Sequence, residues 1–226
     1  FQSAGQRCSA LRMLYVQKDI ADKLLTMLKG AMDCLVIGDP ADLTTDVGPV
    51  IDEVAQKKLQ SYIDQRQANG QVLHQKVVPA EHAARGHFIA PTLVQVNGIA
   101  DLGEEMFGPI VHFATFDAHD LEKILDDVHA QGYGLTLGLH TRIERRAQEL
   151  TGRAHVGNIY VNRNQIGAVV GCQPFGGCGL SGTGPKAGGP LYLTALAHLH
   201  EDDNATYTDI LTARQLPWDG VSLDLG

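Results

Sequence analysis

The 226-residue sequence lacks two features that would indicate other classes of protein. It has no run of roughly 18 or more consecutive apolar residues, the minimum for a membrane-spanning helix. It also lacks an excess of positive charge, because 18 Lys and Arg face 26 Asp and Glu, for a formal net charge of −8. Nucleic-acid-binding segments show the opposite sign, with clustered Lys and Arg. The sequence therefore predicts no membrane span and no nucleic-acid partner for this segment.

Cysteine is also scarce, and the N-terminus has no features of a leader. The four cysteines are Cys8, Cys34, Cys172 and Cys178. So few cysteines in a chain of this composition are typical of reduced thiols in a cytoplasmic protein. The sequence begins without a Met, a basic region or an apolar region. It opens within what reads as a motif, so we interpret it as part of a longer chain.

The sequence does contain alternating strand and helix patterns. Hydrophobic periodicity predicts strands at residues 11–17, 71–78, 87–94, 109–116, 135–140 and 157–162, and helices at residues 19–35, 51–68, 120–131 and 143–150. Such alternation indicates right-handed crossovers. The predicted fold class is α/β, with a twisted, mostly parallel open sheet flanked by helices. Ligands gather at the carboxyl ends of the strands in such sheets.

The first candidate site residue is Cys8, directly before the first predicted strand. A thiol nucleophile needs thiolate character, which the neighbouring cation of Arg7 favours. A cysteine at such a place is more often structural than catalytic. However, Phe1, Gly5, Gln6 and Cys8 form the pattern Phe-x-x-x-Gly-Gln-x-Cys. This pattern resembles the active-site cysteine signature of the aldehyde dehydrogenase superfamily, which makes Cys8 the expected catalytic nucleophile.

A second motif lies at residues 104–109, Glu-Glu-Met-Phe-Gly-Pro. It is similar to the Glu-x-Phe-Gly-Pro segment of the same family. There the Glu hydrogen-bonds the nicotinamide ribose and the Phe packs near the ring. The resemblance thus implies NAD as cofactor, with Glu105 and Phe107 as cofactor-binding residues. The alternative is a plain turn with exposed acids and a buried Phe.

A third motif, Gln-Pro-Phe-Gly-Gly at residues 173–177, resembles the family's Pro-Phe-Gly-Gly segment. The three motifs come in the family's order and together span the chain to about Leu193. We therefore expect residues 1–194 to be the aldehyde dehydrogenase catalytic domain, truncated at its N-terminus. We expect residues 195–226 to be a C-terminal tail or linker. By resemblance, the main NAD-binding domain lies upstream of this segment and is its missing partner.

Two further patterns are misleading. Gly177, Gly179 and Gly182 fit the dinucleotide fingerprint G-x-G-x-x-G, which needs a preceding strand and a following helix. Pro174 precedes the glycines and more Gly and Pro follow, so we interpret them as structural. Cys172 and Cys178 are too far apart for a metal pair and lack two further ligands. The sequence therefore predicts no metal site.

The substrate is indicated by residues 162–171, Asn-Arg-Asn-Gln-Ile-Gly-Ala-Val-Val-Gly. This segment resembles a loop of the L-glutamate-γ-semialdehyde (Δ1-pyrroline-5-carboxylate) dehydrogenases, most of all in the C-terminal module of bifunctional proline-utilisation (PutA) proteins. In that group the backbone amides of a Gly-small-residue pair hold the substrate's α-carboxylate, a role that falls here on Gly167 and Ala168. By the same resemblance Ser9 binds that carboxylate and Phe175 packs on the aliphatic chain. We also expect Arg7, next to Cys8, to be a substrate-binding residue.

The resemblance implies a Cys8 thiohemiacetal, hydride transfer to NAD+, and a thioester whose hydrolysis releases glutamate. Because the family's water-activating Glu and oxyanion Asn also lie upstream, we expect the isolated chain not to turn over. Two alternatives remain open: an aldehyde dehydrogenase of other specificity, and a catalytically silent structural homologue. The sequence also leaves open NAD against NADP, a homo-oligomer, and an upstream proline dehydrogenase module carrying FAD.

Overall fold

The structure is a computed structural model that describes the backbone of residues 1–201 and the side chains as far as residue 196. Internal contacts divide the chain into two compact units, Phe1–Ile124 and Leu125–Gly226. The last helix, Tyr192–Glu201, crosses the expected domain boundary at residue 194. The rest of the expected tail, residues 202–226, lies outside the described residues. Within the described part, no helix has the length and apolar character needed to cross a membrane.

The first unit contains a four-stranded sheet and two long helices. Its elements are β1 (Met13–Gln17), α1 (Lys18–Asp33), α2 (Glu53–Ala68), β2 (Val72–Gln75), the short α3 (Ala80–Ala83), β3 (Thr92–Gln95) and β4 (Ile110–Phe116), with 3-10 turns at Gln2–Gly5 and Ile99–Leu102. The strand order is β1-β4-β3-β2. β4 is parallel to both β1 and β3, whereas β2 is antiparallel to β3. The expected α/β class with a mostly parallel sheet is confirmed.

The core of the first unit lies on both faces of this sheet. Because side chains alternate along a strand, Val94 and Ile110 join Leu59 and Ile63 of α2 in one apolar cluster. Their neighbours in the strands join α1 in a second cluster, with Leu93, Val111, Phe113, Ala21 and Met32 buried together. The central strand is apolar on both faces for this reason. The carboxyl-terminal ends of β1 and β4 are thereby fixed between two helical layers.

The second unit begins within α4 (Leu121–Ala130), the helix that follows β4. The unit also contains β5 (Tyr133–Gly134), β6 (Thr136–Leu139), α5 (Glu144–Arg153), β7 (Asn158–Val161), β8 (Cys178–Gly179) and α6 (Tyr192–Glu201). β6 and β7 are parallel and joined through α5, so they form a βαβ unit. The two-residue strands β5 and β8 are antiparallel. All four residues of β7 are buried, so this strand is a rigid base for the loop after it.

Several element boundaries differ from those predicted, and at two of them the local cause is plain. The strand predicted at 87–94 begins only at Thr92, because Pro91 has no N–H to donate to the sheet. The helix predicted at 51–68 begins at Glu53, because Asp52 is its N-cap and accepts a hydrogen bond from the Ala55 N–H at 2.7 Å. Both shifts follow from backbone hydrogen bonding and not from hydrophobic periodicity.

Candidate active site

Cys8 lies in a tight turn directly before β1. The Ala10 N–H donates to the Arg7 carbonyl at 3.2 Å, so Cys8 and Ser9 are the two central residues of the turn. Cys8 and Arg7 are exposed, whereas Ser9 is buried. The thiol is therefore open to solvent on a short, closed segment of backbone.

The residues before this turn have an unusual backbone conformation. Ser3, Ala4 and Gly5 all have positive φ, at 52°, 51° and 68°. For a residue other than glycine the left-handed conformation costs roughly 1–2 kcal/mol, and such strain clusters at functional sites. At Gly5 a Cβ would lie 2.0 Å from the carbonyl oxygen of Gly108. The Cys8 segment thus meets the Glu-x-Phe-Gly-Pro segment backbone to backbone, and only glycine permits this approach.

Arg12 connects the same two segments through its side chain, which is only 13% exposed. Its Nε donates to Glu105 Oε1 at 3.1 Å, Nη1 to the Gly5 carbonyl at 2.6 Å and Nη2 to the Arg7 carbonyl at 2.9 Å. The guanidinium carbon lies 4.5 Å from the centre of the Phe107 ring. Burial lowers the pKa of Arg12 from its ordinary value, while the hydrogen bond and charge of Glu105 oppose this shift. The first two motifs therefore share one cation.

The backbone of Arg12 is held by a buried histidine. The Arg12 carbonyl lies 3.0 Å from the His112 backbone N and 2.8 Å from its Nδ1. Because a carbonyl only accepts, Nδ1 carries the ring proton, and Nε2 accepts from the Tyr62 hydroxyl at 2.8 Å. Burial lowers the pKa of His112 to about 4, so the imidazole is neutral at pH 7. This chain of hydrogen bonds fixes the start of β1.

Glu105 and Phe107, the predicted cofactor residues, are both accessible. The side chain of Glu105 is 36% exposed, and Phe107 is 43% exposed. Arg12 occupies only Oε1 of Glu105, and among residues 1–201 no donor reaches Oε2. A free carboxylate oxygen suits a ribose hydroxyl, and an open aromatic ring suits the edge of a nicotinamide. These residues fit the nicotinamide-ribose end of NAD.

In the second unit, Phe175 is held on both sides by one buried side chain. Asn158 donates from Nδ2 to the Pro174 carbonyl at 2.9 Å, and its Oδ1 accepts from the Gly176 N–H at 3.2 Å. Phe175 also exchanges two backbone hydrogen bonds with Ala187, each 3.0 Å long. Asn158 is fully buried in β7. The position of Phe175 is therefore set by the βαβ unit and not by its own flexible loop.

The loop that carries Gly167 and Ala168 is shaped by local hydrogen bonds. Gly167 has a φ of 80°, and its carbonyl accepts from the Tyr160 hydroxyl at 3.4 Å. The Val169 N–H donates to Gln173 Oε1 at 2.9 Å, which closes the following turn. Gly167 and Ala168 are both half-buried. The conformation at Gly167 favours glycine, which explains the residue type there.

The glycines that fit the dinucleotide fingerprint have a structural role. A Cβ at Gly182 would lie 1.8 Å from the Gly177 carbonyl oxygen, and one at Gly177 would lie 2.4 Å from that of Ser181. The segment folds tightly on itself, and no helix begins until Tyr192. Cys178 in this segment donates from Sγ to the His155 carbonyl at 2.7 Å, and burial raises its pKa. This thiol is packed in the fold, unlike that of Cys8.

The sequence analysis missed Arg12 and Asn158. Arg12 is the one charged residue in an otherwise apolar strand segment, and this was the available signal. Asn158 similarly opens a buried apolar strand. Within the first unit the structure brings together Arg7, Cys8, Glu105 and Phe107 around Arg12. Within the second unit two residues of β7 hold the candidate substrate residues: Asn158 bonds the backbone on both sides of Phe175, and the Tyr160 hydroxyl donates to the Gly167 carbonyl.

Comparison with known proteins gives one consistent family. The profile of the aldehyde dehydrogenase family matches residues 1–200. The bifunctional protein PutA of Escherichia coli is 52% identical over 200 residues, which are 87% of this chain and 15% of that protein. A crystal structure of a Bradyrhizobium japonicum proline utilization A (PutA) mutant has a TM-score of 0.80 at 50% identity, covering 85% of this chain and 19% of that one. The 1-pyrroline-5-carboxylate dehydrogenase from Thermus with bound NAD has a TM-score of 0.75 at 34% identity, covering 84% and 36%.

Proposed function

The chain belongs to the aldehyde dehydrogenase family, and we propose that it is the catalytic part of an NAD+-dependent enzyme that oxidises L-glutamate γ-semialdehyde to glutamate. The observation that carries this proposal is the exposed thiol of Cys8 in a turn tied by Arg12 to Glu105 and Phe107. An accessible thiol beside a cation is the environment of a reactive cysteine. A packed, structural thiol has neither property.

In the proposed reaction the Cys8 thiolate attacks the aldehyde carbon. The sulfur's electron pair forms the S–C bond, and the π pair of the C=O bond moves to oxygen. The Cys8 backbone N–H donates to this oxyanion. When the C=O bond re-forms, a hydride leaves the carbon and a thioester remains on Cys8. Water then attacks the thioester carbon, the thiolate departs, and glutamate and two protons are released.

Bound NAD+ would supply the hydride acceptor for this reaction. Glu105 would hold a ribose hydroxyl through its unoccupied oxygen, and Phe107 would lie against the nicotinamide edge. Since Arg12 contacts both side chains, it keeps the carboxylate and the ring in fixed positions. Support for NAD also comes from the Thermus relative, which was crystallised with it.

The proposed substrate carries a carboxylate at the end remote from the aldehyde. We assign that carboxylate to the Gly167–Ala168 amides and the Ser9 hydroxyl, with Arg7 supplying positive charge. Backbone N–H groups in a glycine-containing turn can form an anion-binding concavity, and a hydroxyl adds a directional donor. Phe175 would pack on the aliphatic carbons. The names of the relatives, PutA and 1-pyrroline-5-carboxylate dehydrogenase, support this substrate.

The chain spans about 15% of the PutA relative and about 37% of the 1-pyrroline-5-carboxylate dehydrogenase of Halalkalibacterium halodurans. We therefore propose that the remaining groups, including the main NAD-binding domain and the water-activating carboxylate, come from other parts of the protein. Residues 1–226 alone are expected to show no NAD+-dependent turnover. Assaying this chain alone beside the native protein checks that expectation.

The substrate is tested by comparing pyrroline-5-carboxylate, which is in equilibrium with the semialdehyde, with propanal in the native protein. NADH formation should give a kcat/KM at least about a hundredfold higher for pyrroline-5-carboxylate, because propanal leaves the carboxylate site empty. The Cys8→Ser variant should lose this activity, and the matched variant Cys34→Ser should keep it. Equal kcat/KM values would contradict the substrate assignment. Absence of turnover with both aldehydes would favour the silent homologue.

A further inference from the structure

The Arg12 guanidinium contacts the carbonyl that directly precedes the nucleophile, at 2.9 Å from the Arg7 oxygen. We infer that Arg12 is a positioning residue that aims and polarises the Cys8 backbone N–H as the donor to the reaction's oxyanion. This inference rests on the proposed function, because it assigns a task to Arg12 in the thiol addition described above.

The direction of the Cys8 N–H follows from peptide geometry. The Arg7 carbonyl and the Cys8 N–H belong to one peptide unit, and no cis peptide bond occurs in the described residues. In a planar trans peptide the N–H points opposite to the C=O. Since the carbonyl is directed at Arg12, the N–H is directed away from it. Among residues 1–201 no group accepts a hydrogen bond from this N–H, so it can serve the substrate oxygen.

The strength of the donor follows from charge. A cation bound at a carbonyl oxygen draws electron density through the amide and makes the N–H of the same unit a better donor. Hydrogen bonds from a charged donor are about twice as strong as neutral ones. The Ala10 N–H also donates to the Arg7 oxygen, at 3.2 Å. Both bonds act on the same peptide, and both hold its plane still.

The guanidinium can perform this task because its other contacts fix it. Nη1 donates to the Gly5 carbonyl at 2.6 Å, Nε donates to Glu105, and the guanidinium carbon lies over the Phe107 ring. A lysine ammonium is a compact charge on a flexible stem and cannot make these contacts together. Arg12→Lys therefore retains the charge near Cys8 but loses the fixed orientation.

The test compares two reactions of Cys8 in the native protein without NAD+. In p-nitrophenyl acetate hydrolysis, the thiolate adds to the carbonyl carbon, an oxyanion forms, and its collapse expels p-nitrophenolate and leaves an acetyl thioester. In alkylation by iodoacetamide, the thiolate displaces iodide and no oxyanion forms. Arg12→Lys should slow the acylation burst about tenfold or more, because removing an oxyanion donor costs about a hundredfold or more. Alkylation, measured at its high-pH plateau where the thiolate is complete, should change less than twofold.

Arg66→Lys is the matched control. Arg66 also donates to a carbonyl, that of Asp101 at 2.7 Å, and lies over the ring of Tyr62, but does not contact the Cys8 turn. Its ratio of acylation to alkylation should equal that of the unaltered protein. Equal slowing of both reactions in Arg12→Lys would show a merely structural role, and slowing of neither would show no role. Either result overturns the inference. If the unaltered protein shows no acylation of Cys8, the proposed function itself fails.

Discussion

At the scale of single residues, Glu104 and Glu105 are sequence neighbours with different partners. Glu104 pairs with Lys58 at 2.6 Å, whereas Glu105 pairs with Arg12. Glu105→Gln should raise the KM for NAD+ by about tenfold or more, because hydrogen bonds to a charged group are worth about 1.5–3 kcal/mol. Steady-state kinetics with varied NAD+ measures this. Glu104→Gln is the control and should leave the KM unchanged; equal effects in the two variants would argue against a cofactor role for Glu105.

His112 predicts a pH-dependent stability. Its pKa is lowered by burial from 6.5 to about 4. Between these values the unfolded chain binds a proton that the folded chain does not, so folded-state stability falls as the pH decreases through this range. The free energy of unfolding should drop by about 3 kcal/mol from this residue.

Urea unfolding of the protein and of His112→Asn across this range measures the His112 contribution as the difference between the two curves. The variant lacks the titrating ring and should show a weaker decline toward acid pH. Parallel curves for the two proteins would contradict the assignment of a buried neutral imidazole.

The roles of Cys8, Glu105 and Phe107 stay predictions, and the sequence supplies them because each residue lies in a short motif. Arg12 could not be predicted, because its partner Glu105 is 93 positions away in the sequence. The local signal, one charge in a mostly apolar segment, does not identify that partner. Only the pairing of β1 with β4 brings these residues together.

At the scale of elements, the turn before Cys8 depends on the missing side chain of Gly5. Gly5→Ala should lower the free energy of unfolding by about 2–5 kcal/mol, from the left-handed φ and the overlap with Gly108. Gly30→Ala in α1 is the control, since a Cβ there meets nothing within 4 Å. That substitution should stabilise the protein by about 0.5–1 kcal/mol. Thermal unfolding of both variants measures these changes. A Gly5→Ala variant as stable as the unaltered protein would exclude the close approach of Gly5 to Gly108.

In the second unit, Asn158 of β7 should affect substrate affinity because it fixes the position of Phe175. Asn158→Ala leaves the Pro174 carbonyl and the Gly176 N–H without their side-chain partner, which should cost about 2–4 kcal/mol of stability. Displacement of Phe175 should raise the KM for pyrroline-5-carboxylate more than it lowers kcat. Steady-state kinetics measures this change. Asn69→Ala, at the exposed end of α2, is the control; its KM should be unchanged and its free energy of unfolding should change by no more than about 0.5 kcal/mol. An unchanged KM would remove Phe175 from the substrate site.

Most helices and strands could be predicted from the hydrophobic pattern, because each buries one regular face or, like β4 and β7, forms a short apolar run. The predicted strand 109–116 corresponds to β4, and the predicted helix 120–131 to α4. Positions decided by one hydrogen bond, such as the start of β3 after Pro91, could not. The two-residue strands β5 and β8 were also missed, since two residues show no period.

At the scale of the whole molecule, the chain contains two compact units, with the proposed nucleophile and cofactor residues in the first and the Gly167–Ala168 pair in the second. It covers a minor part of the length of its relatives. A net charge of −8 does not by itself attract an anionic substrate. Local groups must do so, and we propose backbone amides, a hydroxyl and Arg7 for this task.

Trapping the covalent intermediate tests the role of Cys8 most closely. The native protein is mixed with pyrroline-5-carboxylate and NAD+, quenched in acid within one turnover and digested, and the cysteine peptides are weighed by mass spectrometry. We expect an added glutamyl group on the peptide that contains Cys8, and none on those of Cys34, Cys172 or Cys178. Turnover with no adduct on Cys8, or with the adduct on another cysteine, would contradict this role.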